Sequence, residues 1–210
     1  MLRIVGNMSD AYRYSKESQS HMEIRDICAI WDEFFSNSAQ LIAHAGIKLQ
    51  YTGLQESVYC LIDSEKLERA ANNILSNAAK FCAKGSTIDV RLTRRGSMLY
   101  LSVQDDGSGI PQQLRSSVYS RFHRQPGIED GRFGIGLGMV LIRSAAAIHG
   151  GTVLIEQLPS QGTRITMTMQ IRQSGDSAVR SPAFRVDYAG EQDHRLIELS
   201  ESLPTSLYAK

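Results

Sequence analysis

The spacing of apolar residues divides the chain into a helical front, an alternating middle and a helical return. Residues 1–20 are polar and fit a helix. Its apolar positions, Leu2, Ile4, Met8, Ala11 and Tyr14, form a stripe too narrow to stand without a partner helix. Over residues 23–45 the stripe is stronger, with Ile27, Ile30, Trp31, Phe34, Phe35, Ala39, Leu41 and Ile42 on one side and Gly46 as the stop. Ile47–Tyr51 and Val58–Ile62 read as two short strands separated by a turn around Gly53. Asp63 or Ser64 caps a helix that runs to about Ala83, and Gly85 ends it. Ile88, Val90 and Leu92, then Leu99, Leu101 and Val103, alternate about a turn at Arg94–Ser97 that contains Gly96, which predicts a hairpin. A glycine-rich loop follows at Asp105–Pro111, then a short helix near Gln112–Val118 and a polar stretch from His123 to Phe133. Gly134–Gly138 leads into a helix through Ile148, which Gly150 and Gly151 break. The strands Thr152–Glu156 and Arg164–Ile171 complete the core. Beyond residue 172 the pattern changes. Ser174–Ser177 reads as a linker, Val186–Tyr188 as a strand, and His194–Leu203 as a helix ended by Pro204.

Composition narrows the reading. A chain of 210 residues, 42% hydrophobic and 21% charged, fits one main soluble domain with appendages. A net charge of +1 gives no support to a nucleic-acid partner. Cys28, Cys60 and Cys82 are odd in number and lack CxxC spacing, which argues against a disulfide framework or a zinc site and suits a reducing, cytoplasmic compartment. No apolar run reaches the ~18 residues of a membrane span, and the N-terminus lacks a signal pattern. No membrane contact is expected within these residues.

Three segments carry candidate chemistry. On the helix at 63–83, with Asn73 at zero, Leu67, Ala71, Ile74, Ala78 and Phe81 cluster at about 80–160°, an ordinary core stripe. Arg69, Asn73, Asn77 and Lys80 cluster within about 40° of zero. That second stripe reads either as a solvated face or as a ligand face. Asparagines are poor helix formers. Their oxygens can ligate a hard cation such as Mg²⁺, and a lysine one turn on can neutralise phosphate. The segment Asp105-Asp106-Gly107-Ser108-Gly109-Ile110-Pro111 reads either as a plain turn or as a strand-end carboxylate that accepts the exocyclic amine of adenine, with glycines letting backbone approach a flat ring. Gly131–Gly138 reads either as a flexible loop or as a phosphate cradle before a helix. It has neither P-loop nor dinucleotide-fingerprint spacing.

The order of these segments resembles the ATP-binding catalytic domain of sensor histidine kinases. Asn73-Ile74-Leu75-Ser76-Asn77-Ala78-Ala79-Lys80-Phe81 resembles their N box. Asp105–Pro111 resembles the first glycine box, and Tyr119-Ser120-Arg121-Phe122-His123-Arg124 the F box. Gly134-Ile135-Gly136-Leu137-Gly138-Met139, with His149-Gly150-Gly151 behind it, resembles the second glycine box and its helix, and Gly162-Thr163 sits where the family has Gly-Thr before its last strand. The resemblance spans about residues 24–172. It implies the Bergerat ATP-binding fold shared with gyrase, heat-shock-type chaperones and mismatch-repair ATPases: a two-layer α/β sandwich, a mixed sheet with helices on one face. It implies ATP and Mg²⁺ as cofactors. Asn77 would hold the metal, Asn73 would assist in the phosphate region, and Lys80 would contact phosphate. Asp105 would bond the adenine amine in a pocket shaped by Gly107, Gly109 and Ile110. Arg124 would reach the γ-phosphate. Gly134, Gly136, Leu137 and Gly138 would fold over the phosphates, and Thr163 would add a water-mediated adenine contact.

The departures are informative. Hydrolytic relatives place a glutamate base where this chain has Asn73, and Glu68 lies about 140° away on the helix. Phosphoryl transfer to a side chain is therefore expected over hydrolysis. His123 reads as a surface residue and His149 as a helix-end residue. His21, His44 and His194 lack the context of a phosphoacceptor. The expected organisation is the tail of a dimerisation and phosphoacceptor helix at 1–20, the catalytic domain at 21–172, and an extension of unassigned role at 173–210. The chain is expected to be the catalytic fragment of a longer, homodimeric, membrane-anchored kinase, with the missing histidine-bearing helical domain and a response-regulator receiver domain as partners. The alternatives are a degenerate or regulatory nucleotide-binding module of the same fold and, further off, a serine-kinase anti-sigma factor.

Overall fold

A computed structural model describes residues 20–109, 138–159 and 161–173. The helix expected over 1–20 (but for Ser20), the helix near Gln112–Val118, the polar stretch 123–133 and the features expected beyond residue 173 lie outside the described residues.

The chain opens with β1 (Glu23–Asp26) and α1 (Ile27–Ala43), followed by β2 (Lys48–Thr52), β3 (Tyr59–Ile62) and α2 (Ser64–Phe81). The hairpin β4 (Thr87–Arg95) and β5 (Met98–Asp105) comes next, then α3 (Gly138–Ile148), β6 (Val153–Gln157) and β7 (Thr163–Gln170). Five strands form one mixed sheet in the order β2-β4-β5-β7-β6. Among the described strands only β2 and β4 pair in parallel, and the connection between them contains α2, as a parallel crossover requires. The β4–β5 register closes on Arg95 opposite Met98, with Gly96 supplying the positive φ that the tight turn needs.

Alternation along the strands separates two faces. Ile88, Val90 and Leu92 on β4, Leu99, Leu101 and Val103 on β5, and Ile165, Met167 and Met169 on β7 are buried. Between them stand Asp89, Arg91, Tyr100, Ser102, Gln104, Arg164 and Thr166, none of them fully buried. This polar face is laced by the Arg91–Asp89 contact at 2.7 Å and the Arg164–Gln104 contact at 2.7 Å. The helices pack on the apolar face. On α1, Trp31, Phe34 and Phe35 make an aromatic cluster, and Phe35 stacks on Tyr51 of β2 with ring centroids 4.7 Å apart. The expected two-layer sandwich with helices on one face is thus the observed architecture.

Two sequence expectations are corrected. Residues 23–26 belong to a strand and not to the helix expected over 23–45: β1 pairs antiparallel with β3 in a separate two-stranded sheet. The boundary is set by Asp26, whose Oδ1 accepts from Cys28 N at 3.1 Å and from Val58 N at 3.2 Å. One carboxylate caps the helix and ties β1 to the start of β3. The strands β2 and β3, adjacent in sequence, consequently lie in different sheets. Phe81, expected in the core stripe of α2, is 38% exposed. At this last turn the helix end is met by backbone, its carbonyl accepting Ser108 N at 3.1 Å, and not by the sheet.

Replacing Asp26 by Ala removes the acceptor for both N–H groups. It is expected to cost roughly 1–2 kcal/mol of stability, whereas Asp26→Ser, which keeps a capping oxygen, should cost less. Urea denaturation midpoints of the two variants check this.

Candidate functional site

Asp105 is the last residue of β5 and stands opposite the start of β7 in the antiparallel register. Its side chain is 7% exposed. Oδ1 accepts from Gly107 N at 3.0 Å and from Thr163 N at 3.2 Å. Among the described residues, Oδ2 accepts nothing. The glycines explain how backbone comes so near. A Cβ on Gly107 would lie 2.5 Å from the Phe81 carbonyl oxygen, and Gly162, at φ +96°, passes so close to the Asp105 carbonyl that a Cβ would overlap it. Gly109, at φ +74°, lies against the Gln157 amide at the end of β6. The loop after β5 is therefore held from three sides by α2, β6 and β7.

Burial pushes the Asp105 carboxyl above its ordinary range, and the nearby charge of Asp106 adds to that; the N–H groups of Gly107 and Thr163 pull it back without cancelling the effect. Cys82, the C-cap of α2, is governed by the same surroundings. Burial, then the charges of Asp105 and Asp106, raise its thiol to about 11, so it is neutral near pH 7.

The polar stripe of α2 is not a solvated face. Asn73 is 2% exposed, and Arg69, Asn77 and Lys80 are half-buried. Asn73 Nδ2 donates to the Arg69 carbonyl at 2.9 Å, which turns its Oδ1 toward Gly138 at the first described turn of α3; a Cβ on Gly138 would come within 2.8 Å of that oxygen. Asn77 Nδ2 makes only a weak 3.8 Å contact to Met139 Sδ, and its Oδ1 has no hydrogen bond among the described residues. An amide oxygen of this kind suits a hard cation that takes its other ligands from water and phosphate. No group of three His, Cys, Asp or Glu side chains among the described residues forms a cage that would compete.

The structure thus brings Asn73, Asn77 and Gly138 together on one side, and Asp105, Gly107, Gly109 and Thr163 on another, joined by the end of α2. Thr163, expected to reach adenine through a water, here donates its backbone N–H to Asp105. Ile110, Arg124, Gly134, Gly136 and Leu137 lie outside the described residues. The sequence reading missed Gln157, for which no motif spoke. It also missed the buried trio Asp63, Lys66 and His149. Asp63 accepts from Lys66 Nζ at 2.9 Å and donates its own N–H to His149 Nε2 at 2.9 Å. His149 is a helix-end residue as expected, yet only 1% exposed.

Comparison with known proteins places this geometry. The family model described as histidine kinase-, DNA gyrase B-, and HSP90-like ATPase matches residues 62–173. The sensor histidine kinase WalK of Bacillus subtilis (strain 168) is 26% identical over 181 residues, covering 82% of this chain and 29% of that protein. The sensor histidine kinase TmoS of Ectopseudomonas mendocina is 36% identical over 104 residues, covering 48% of this chain and 11% of that protein. The chain therefore spans less than a third of the length of these relatives. Among solved structures, the mycobacterial sensor histidine kinase MprB superposes with a TM-score of 0.58 at 26% identity, over 73% of this chain and 99% of that one.

The electrostatics of Asp105 carry a sign that can be tested. A carboxyl whose folded pKa is raised contributes stability only below its ordinary pKa, and that contribution is lost as pH rises through the folded value. At pH 7 the buried charge costs stability. Asp105→Asn keeps the acceptor for both N–H groups and removes the charge. Without nucleotide, its thermal midpoint is expected to equal or exceed that of the unmutated chain at pH 7, with the difference shrinking as pH falls toward about 4. Scanning calorimetry at the two pH values checks it.

Proposed function

Because this chain belongs to the histidine kinase-, DNA gyrase B-, and HSP90-like ATPase family and is an ATP-binding domain of the sensor-kinase type, we propose that it donates the γ-phosphoryl group of Mg-ATP to a histidine on a separate helical domain, for relay to a response regulator. The observation that carries this reading is the buried Asp105 carboxylate, with one oxygen held by two backbone N–H groups and the other unengaged among the described residues. With Oδ1 already engaged by two N–H groups, the carboxylate offers one oxygen, which suits the single exocyclic amine of adenine and not the paired N1–H and C2 amine of guanine.

In this reading Gly107, Gly109 and Ile110 admit the ring, and Thr163 holds Asp105 in place. Asn77, assisted by Asn73, would hold Mg²⁺, which when bound supplies charge neutralisation along the phosphates. Lys80 contacts phosphate, Arg124 reaches the γ-phosphoryl, and Gly134, Gly136, Leu137 and Gly138 let backbone cover the phosphates. Asn73 stands where a hydrolase needs a base. An amide takes no proton, so water is not activated, and the phosphoryl passes to an imidazole nitrogen that positioning presents to it. Residues 21–172 form the working domain, 1–20 end the helix of the acceptor-bearing domain, and 173–210 extend beyond it. The whole kinase acts as a cytoplasmic-facing, membrane-anchored homodimer. Among the described residues no helix is long and apolar enough to cross a membrane.

The test is incubation with γ-labelled ATP. The chain alone should stay unlabelled and turn ATP over slowly. Adding a histidine-bearing helical domain from a sensor kinase should yield acid-labile, alkali-stable label on that domain. Asn77→Ala should abolish the Mg²⁺ dependence of binding, and the unmutated chain should prefer ATP to GTP by about 1.5–3 kcal/mol, the worth of a charge-assisted hydrogen bond. Nucleotide binding with no transfer to any acceptor would instead establish a regulatory module of the same fold.

A further inference from the structure

Helices α2 and α3 run antiparallel, and two of the places where they meet lie toward opposite ends of α3. At one, Asn73 Oδ1 faces Gly138 at a distance that leaves no room for a side chain. At the other, the backbone N–H of Asp63, the N-cap of α2, donates to His149 Nε2 at 2.9 Å. Asn73 lies ten residues beyond Asp63, and His149 eleven beyond Gly138, so the two contacts are spaced by similar lengths of about 15 Å and about 16.5 Å of helix. The pair is hydrogen-bonded at one end and in close contact at the other.

The far tie is specific. The Asp63 N–H requires Nε2 to be an acceptor, so the ring proton sits on Nδ1, where it donates to the Ala145 carbonyl at 2.7 Å. Both nitrogens are used. Burial lowers the imidazole's pKa, which keeps it neutral. Around it stand Asp63, whose carboxylate takes Lys66 Nζ and the His21 N–H at 3.1 Å, and the Lys66 and Arg172 cations. The His149 carbonyl accepts Gln170 N at 2.9 Å, which anchors the same residue to the end of β7. An apolar side chain would fill the space more cheaply, but it would leave the Asp63 N–H without its partner.

We propose that His149 is a positioning residue for nucleotide binding: by fixing the end of α3 to the start of α2 it sets the distance between Asn73 and Gly138 at the opposite end, where the phosphates are read. The proposal rests on the reading that Asn73 and Asn77 face the phosphates. Chain entering at His21 joins the same cluster through Asp63, so the tie also lies where a preceding segment connects.

The experiment compares His149→Ala and His149→Gln in the full 210-residue chain. Mg²⁺-AMPPNP binding is measured by calorimetry at a temperature where circular dichroism shows each variant folded. Amide hydrogen exchange is followed at residues 138–141. His149→Ala should weaken nucleotide binding on the order of tenfold or more, as misplacement at a distance does, and speed exchange at 138–141. His149→Gln, whose amide both donates and accepts, should recover most of the loss. A lower thermal midpoint with unchanged affinity and unchanged exchange at 138–141 would reduce His149 to packing and overturn the proposal. If His149→Ala does not fold, His149→Asn takes its place. If the unmutated chain does not bind Mg²⁺-AMPPNP, the reading of the asparagines falls, while exchange at 138–141 still decides the tie.

Discussion

The arrangement of this domain turns on one buried carboxylate. Asp105 sits at the end of a central strand, in an environment that disfavours its charge, and is kept by two backbone N–H groups from segments far apart in sequence. For those donors to converge on one oxygen, the loop after β5 must fold back on the end of α2, and the chain must enter β7 beside it through Gly162 in the left-handed region. Gly107 and Gly162 are consequences of that convergence. A side chain at either would strike backbone that cannot move without releasing the carboxylate. Burial makes that charge a standing cost to stability near neutral pH, which the two N–H groups offset only in part.

The second polar feature obeys the same logic. A helix that buries Asn73 and half-buries Asn77 gives up helix propensity and desolvates amides. Its apolar stripe, Leu67, Ala71, Ile74 and Ala78, is fully occupied with the core, so the asparagine stripe is free to meet α3 rather than water. The antiparallel pairing of the two helices is what brings that polar stripe against Gly138 and Met139. That pairing is secured at its far end by Asp63 and His149, not by apolar contacts alone.

Much of this was legible along the chain. Period-two alternation located β4 and β5, and the glycines after β5 and before β7 marked where backbone must come close. The boxes around Asn73, Asp105 and Gly138 marked residues that the fold gathers about α2, because residue type and spacing are themselves the signal there. Where the reading failed, the cause was long-range. Residues 23–26 carry a helical pattern that Asp26 overrides by capping, a choice settled by Val58, thirty-two residues away. Phe81 fits the core stripe by angle, yet the sheet does not extend over the last turn of α2.

The sequence by itself determined the elements, the glycine corners and the identity of the polar groups, since each depends on periodicity or on local backbone freedom. Only the tertiary structure decided that Thr163 serves Asp105 through its backbone, that β2 and β3 part into different sheets, and that His149 joins two helices across eighty-six residues. Those are properties of pairs, and a hydrogen bond between segments distant in sequence leaves no mark on the spacing within either one.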